Sequence, residues 1–443
     1  MRLGLGAVAA SGLASALGVA VARAANAPQP GASLESGWPA LGISIRDAYL
    51  FLDEMMDAYA QGSTVRLCQS YSDQIAQGTF RGTAFVYDNA LLVLAYLARG
   101  STQDIERARV IGNGLLYAQQ HDVAPDGRLR QTYLAGVAGR KGVLVAPGLA
   151  YLSGSAVGDV AWAGIALAQL HARTGIKAYL GGALAGAHFI EANTRDNVHV
   201  PPGGYSLGDG QAKKSTEHNI DVYALYTMLA RLSGQDSWLD GARHARAFVL
   251  AMFDKPSGHF WTGTSDPARI NRDNIPEDVN SWSYLALQDP DCAASIDWVR
   301  ANLAVTDASS TRISGVTFAS LSKHGPVSAD SPADPDAVWL EGTAHMIAAL
   351  LLRRQPAGHG NPGATADAEL ARALIENTLI AQQSLGAGQT ANGRQLVAGR
   401  GLVAASGILD SGFGFNYYPC LHIGATAWYL MAVQANNPLQ LAA

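Results

Sequence analysis

The sequence predicts an all-α protein built as a closed ring of six helical hairpins. Three observations lead there: twelve segments with apolar residues at helical spacing, connections that alternate between short and long, and acids with aromatics gathered at the start of every second helix. The helices are expected near residues 43–61, 83–99, 103–120, 158–174, 177–193, 217–233, 237–253, 277–288, 292–304, 336–354, 366–385 and 421–435. The first starts at Ser44 with an acid at Asp47, and sets Ile45, Tyr49, Leu52, Met55 and Met56 on one face. No comparable set of alternating strands competes, although the long loops have room for short hairpins.

The connections order these helices. Helices end at Gly100, Gly175 and Gly234, residues able to take the left-handed conformation that closes a helix, and the next helix follows almost at once. The connections 121–157, 194–216, 254–276, 305–335 and 386–420 are long and rich in Gly, Pro, Asp and aromatics. Alternation of this kind puts all short turns at one end of a stack of hairpins and all long loops at the other. If the hairpins close into a ring, the helices entered from long loops form one set, lining the inside, with their N-termini at the long-loop end.

Composition excludes several partners. The 443 residues carry 31 Lys+Arg against 36 Asp+Glu, a formal net charge of -5, so no electrostatic footprint for nucleic acid is present. A charged fraction of 15% is low, which suits helices packed through small residues. Residues 1–24, with Arg2, an apolar run from Leu3 to Val21 and Ala22-Arg23-Ala24, read as a signal peptide cleaved after Ala24, followed by a linker over 25–40, one domain over 41–436 and a tail over 437–443. The expected product is a secreted or periplasmic monomer with no stable membrane insertion. Cys68, Cys292 and Cys420 allow one disulfide at most and no thiolate metal site; no metal or cofactor is expected.

The chemistry collects at the starts of the inner set: Tyr87-Asp88, Asp159 and Trp162, Glu217-His218-Asn219 with Asp221 and Tyr223, Glu277-Asp278 with Trp282, Trp339 with Glu341 and His345, and His422 with Trp428. Helix capping accounts well for Asp159, Glu277 and Asp336. It accounts less well for Asp88, Asp221 and Glu341, which lie inside their helices among apolar or aromatic neighbours. Glu217 and Asp221 share a helical face and repel each other, an arrangement suited to raising a carboxyl pKa. Acids separated by Trp and Tyr also suit carbohydrate, because aromatic faces stack on sugar rings while carboxylates bond the hydroxyls. Core packing is nevertheless the commoner fate of any one such aromatic.

Six hairpins with acidic, aromatic-rich inner-helix N-termini resemble the (α/α)6 toroid of the six-hairpin glycosidase superfamily, over roughly residues 41–436. Ser215-Thr-Glu-His-Asn-Ile-Asp221 and Val338-Trp-Leu-Glu-Gly-Thr-Ala-His345 look like family signatures. The resemblance implies a substrate groove at the long-loop end and a hydrolase with two carboxyl groups, commonly inverting. On that basis Glu217 or Glu341 is expected as general acid and Asp88 or Asp221 as base, with Asp159 and Asp278 positioning sugar or water. Tyr87, Trp162, His218, Asn219, Tyr223, Trp282, Trp339 and His345 are expected to line the subsites, and loops 121–157 and 305–335 to shape the groove. Three rivals stand beside this reading: a uronate lyase using His218, Asn219 and Tyr223 with Lys213 and Lys214 attracting the chain, an epimerase using His218 and His345, and a non-catalytic carbohydrate-binding protein of an exopolysaccharide system.

Overall fold

The computed structural model describes residues 37–59, 63–75, 80–140, 142–143, 145, 152–198, 201, 203–309, 311–324, 333–353 and 362–441. The expected signal peptide and most of the linker lie outside these. Twelve α-helices occur among the described residues: α1 Pro39–Asp57, α2 Val86–Arg99, α3 Thr102–Gln120, α4 Val157–Thr174, α5 Lys177–Thr194, α6 Thr216–Ser233, α7 Ser237–Ala251, α8 Asp278–Leu287, α9 Ala294–Asn302, α10 Leu340–Arg353, α11 Pro362–Ser384 and α12 Ile423–Val433. The even-numbered helices pack side by side as α2, α4, α6, α8, α10, α12 and back to α2, which closes the inner ring. The odd-numbered helices lie outside it, and α1 completes the sixth pair by packing on α12. The fold is an (α/α)6 toroid.

One boundary differs from expectation. Helix α1 starts at Pro39, a residue suited to the first helical position, and not at Ser44. Ser44 is instead buried inside the helix, where its hydroxyl donates to Gln382 Oε1 at 2.5 Å and lies 2.6 Å from Tyr429 Oη, tying α1 to α11 and α12. The short turns after α2, α4 and α6 close at Gly100, Gly175 and Gly234 with φ near +70°, as the glycines imply. Close helix approach explains another glycine. A Cβ on Gly112 of α3 would lie 2.5 Å from a Leu170 methyl of α4.

The long loops build a collar. At the start of each inner helix one residue forms an antiparallel bridge with the loop that leads into the next inner helix: Phe85 with Thr132, Ala156 with Gly208, Ser215 with Gly263, Pro276 with Ala319, Trp339 with Ala405, and His422 with Tyr71. The following N–H, which a helix leaves without an internal partner, donates to the same loop: Val86 to Gln131 O at 3.0 Å, Val157 to Leu207 O at 2.9 Å, Thr216 to Thr262 O at 3.0 Å, Glu277 to Phe318 O at 2.8 Å, Leu340 to Ala404 O at 3.1 Å, and Ile423 to Ser70 O at 3.1 Å. The last contact returns to the loop before α2, so the collar closes. Short paired strands, seven two-stranded antiparallel pairs among the described residues, fill out the loops.

A second set of bonds ties five of the six inner helices to their own incoming loops. Asn89, Asn219 and Asn280 each lie four residues past the bridge residue. Each amide donates back to the carbonyl four residues earlier, at 2.9, 2.7 and 2.8 Å, while its oxygen accepts the N–H of Cys68, Tyr205 or Phe260. Thr343 and Thr426 do the same with a hydroxyl, bonding Trp339 O and His422 O and accepting from Val316 and Leu402. Asn219 is therefore a buried fastener of its loop and not the substrate contact expected of it. Asn219→Ala removes three bonds, including one to Tyr205 O, and strands buried backbone groups. It should lower stability by about 2–4 kcal/mol, read as a shifted urea midpoint at unchanged slope.

Candidate active site

The bridge residues set the register of the inner face. Two residues past them come Tyr87, Gly158, Glu217, Asp278, Glu341 and Gly424; one helical turn deeper come Leu91, Trp162, Asp221, Trp282, His345 and Trp428. The deeper layer is a plug. Ring centroids are 5.2 Å apart for Trp162–Trp282, 5.6 Å for Trp282–Trp428, 5.9 Å for Trp162–Trp428 and 4.4 Å for His345–Trp428. All are buried. Trp162 and Trp282, expected as stacking platforms, are thus the floor beneath the site. Trp339 is a bridge residue, also buried, packed on Phe318 and Tyr417. Tyr223 falls two residues past Asp221, which on a helix turns it to the opposite face, where it packs on the core.

Asp221 and His345 also belong to the floor. Both Asp221 oxygens lack a hydrogen-bond partner in a fully buried setting, and burial, reinforced by Glu217 and Asp278, holds this carboxyl far above its ordinary pKa. It is a buried acid outside the lining of the cavity described below, which is not the setting expected of a base. His345 Nδ1 lies 2.9 Å from Glu277 Oε2, and its Nε2 lies 3.8 Å from Glu341 Oε1. Burial pushes His345 well down and Glu277 well up, which makes them a neutral pair below Glu341.

The upper layer is polar. The Trp428 indole N–H donates to Tyr87 Oη at 2.8 Å, and the Tyr87 hydroxyl donates to Glu341 Oε1 at 2.6 Å. The first bond orients the second. His422 caps α12 by accepting the Ala425 N–H on Nδ1, so its Nε2–H donates to Asp88 Oδ1 at 3.1 Å. The same Nδ1 lies 3.7 Å from Glu341 Oε2. Tyr71 stacks on the imidazole with centroids 4.2 Å apart. Gly424 makes room for this approach, since a Cβ there would stand 2.6 Å from Asp88 Oδ1.

Burial raises Glu341 to about 7, with His422 opposing and Asp88 adding to the rise. Burial likewise takes Asp159 and Asp278 to about 7. Glu217 is held well above its ordinary range by burial and by the neighbouring Asp278 and Asp159. His218, pressed against Gly158, is pushed down to about 4 by burial. His422 goes the other way: burial opposes its protonation, but Asp88 and Glu341 raise it.

A cavity of about 300 Å³ opens beside this cluster. Tyr87, Asp88 and Glu341 line it from the inner helices. His422, one of the helix starts singled out in the sequence, forms one side of the wall; Tyr71 beside it, Phe80 and Phe85 nearby, and Phe415, Asn416, Tyr417 and Tyr418 from the loop before α12 were not anticipated. Most of it comes from loops 58–85 and 385–422, and of the two loops expected to shape the groove only Leu152 contributes among the described residues. Two signals were available in the sequence: a histidine at the start of the sixth inner helix, and the aromatic run Phe413 to Tyr418. No Lys or Arg lines the cavity among the described residues. Lys214, expected to attract an anionic chain, is buried, and its ammonium pairs with Asp196 and the Pro201 and Gly203 carbonyls.

The fold is an (α/α)6 toroid whose acids and aromatics cluster at the inner-helix N-termini. Among solved structures, the α-1,6-mannanase GH76A of a Salegentibacter species is similar over 89% of this chain and 99% of its own, at 11% identity and a TM-score of 0.54. An unsaturated glucuronyl hydrolase from Streptococcus agalactiae covers 89% of this chain and 91% of its own, at 11% identity and 0.58. A sugar epimerase from a ruminal bacterium covers 88% and 98%, at 11% identity and 0.55. At such identities the likeness is one of fold. No protein-family model matches the chain, and no curated protein sequence does.

The raised carboxyls make stability pH-dependent. A carboxyl whose folded pKa is raised contributes fully below its ordinary pKa and loses that contribution as pH rises through the raised one. Between pH 6.5 and 8 the down-shifted histidines lose only the last of their unfolded-state protons, which offsets a small part of this loss. The melting temperature should therefore fall from pH 6.5 to pH 8, and Asp221→Asn should flatten that fall in parallel thermal melts.

Proposed function

We propose that the protein is a glycoside hydrolase acting on an uncharged glycan, with Glu341 as general acid and Asp88 as general base. The observation that carries this is the placement of two carboxyls on either side of one imidazole, in the wall of a cavity lined by aromatic rings. Their surroundings differ in the way acid and base require. Glu341, raised to about 7, keeps a proton near neutrality. Because Tyr87 donates to Oε1, that proton is left on Oε2, the oxygen nearer His422. Donation to the glycosidic oxygen leaves a carboxylate that Tyr87 continues to bond. Asp88, oriented by the His422 N–H, takes the proton of the attacking water. The assignment is to an inverting displacement, in which base and acid flank the sugar with a water between. Asp159, Glu217 and Asp278, expected to act as positioning residues or acid, are not among the residues lining this cavity.

Several observations weigh against the rivals. Among the described residues a uronate would meet acids and no lining Lys or Arg, and both Asn219 and Lys214 are committed to structure. An epimerase would need His218 and His345 facing one sugar, yet His345 is buried against Glu277. One mannanase of this fold was inactivated by replacing two adjacent aspartates and bound to α-1,6-mannotriose. This sequence has no two adjacent aspartates, so it does not reproduce that pair. We propose further that residues 1–24 direct export; no described helix is long and apolar enough to cross a membrane.

Reducing-end release from a panel of neutral oligosaccharides tests the assignment. Glu341→Gln and Asp88→Asn should each lower kcat by about 10²–10⁴-fold, and kcat of the wild type should decline as pH rises through about 7, where the acid loses its proton. Full turnover by both variants would sink the assignment. Binding without cleavage on every glycan tested would favour the non-catalytic reading.

A further inference from the structure

The hairpin that ends the cavity wall holds a feature the proposed mechanism does not use. Leu409–Asp410 pairs with Asn416–Tyr417, and the intervening tip presents Phe413 and Phe415, which are 42% and 47% exposed. Elsewhere among the described residues the exposed large apolar side chains are scattered Val, Ile and Leu. Two neighbouring exposed phenylalanines are uncommon on a protein surface without a partner.

The tip is braced. Ser411 donates to Phe415 O through its N–H at 3.1 Å and its hydroxyl at 2.7 Å, and its Oγ accepts the Phe413 N–H at 3.1 Å. Asp410 Oδ1 accepts the Gly412 N–H at 2.8 Å, and Asn274 donates to Ser411 O at 3.0 Å from the loop before α8. Gly412 takes φ +72°, and a Cβ there would meet Asn274 and Leu321 at 2.7 Å. Phe318 contacts both rings in edge-to-face fashion, with centroids 6.2 and 6.1 Å away. So the rings are held in place without being covered, and a ligand need not order the tip to stack on it.

The surface is continuous with the cavity. Phe415 belongs to its wall together with Tyr417 and Tyr418, while Phe413 lies beyond the wall. We propose that Phe413 and Phe415 form an aromatic lip, a stacking subsite outside the cavity for a further pyranose of the glycan held inside, so that the substrate is a chain and not a single sugar. Aromatic rings meet the C–H faces of pyranoses by dispersion and C–H contacts, with no charge needed on the ligand. This rests on the glycosidase reading above.

Phe413→Ala tests it with ladders of neutral α-1,6-mannan and β-glucan oligosaccharides of increasing length. KM for the longest substrates should rise about ten-fold, and by less than two-fold for the shortest one cleaved, with kcat little changed. Phe413→Trp should restore the length dependence. In the Glu341→Gln background, the same loss should appear in calorimetric Kd for long chains. If wild type and Phe413→Ala show equal KM at every length, the lip is overturned while the hydrolase reading stands. If the wild type neither cleaves nor binds any member, both fall. Self-association lost in Phe413→Ala by ultracentrifugation, with glycan constants intact, would assign the phenylalanines to contact between copies and overturn the lip.

Discussion

The structure depends on how six helix starts dispose of N–H groups that a helix cannot satisfy itself. Each is handed to the loop leading into the neighbouring inner helix, and the sixth is handed back to the loop before the first. This fixes the axial register of the inner helices, because sliding one by a residue would break its bridge and turn its polar side chains away from the axis. The Asn and Thr fasteners oppose the same slip from the other side, by holding five of the six inner helices to their own loops. Register in turn creates the two layers: an aromatic plug, and above it a tier of carboxyls, one tyrosine and two glycines.

Within the upper tier two electrostatic effects compete. Helix N-termini favour negative charge by about 0.3–1 kcal/mol each. Burial works against it: raising Glu341 from 4.5 to about 7 corresponds to roughly 3 kcal/mol against the charged form. Burial wins, and the cluster holds protons at neutrality. Glu341 differs from its neighbours in having Tyr87 on one oxygen and His422 beside the other, so its ionised form has partners close at hand. Asp221 has only the neighbouring Trp162 indole to favour its charge, and burial outweighs it, which suits it to the floor.

Much of the fold could be read from one chain because hairpin closure leaves local marks: glycines at short turns and apolar spacing along each helix. Even Pro39, missed as the start of α1, lay in plain view. The site was less legible. Asp88, Tyr87 and Glu341 were recognisable as acids and an aromatic inside helix starts where capping explains little. Trp162, Trp282, Asp221 and His345 show the same local pattern but face the plug, since one turn of helix separates wall from floor and sequence spacing alone does not mark where the cavity ends. Asn219 resembled a ligand-binding amide because the residue type suited to bonding hydroxyls also suits bonding a backbone.

By itself the sequence determined the helices, their alternation and the end of the ring where acids gather, because periodicity and turn chemistry act over a few residues. Only the tertiary structure decided which acids share a cavity. Asp88 and Glu341 are far apart in the chain and come from different inner helices, and the group that joins them, His422, caps a third. Their pKa values and their partnership follow from burial and a shared imidazole, and both exist only once the collar has closed.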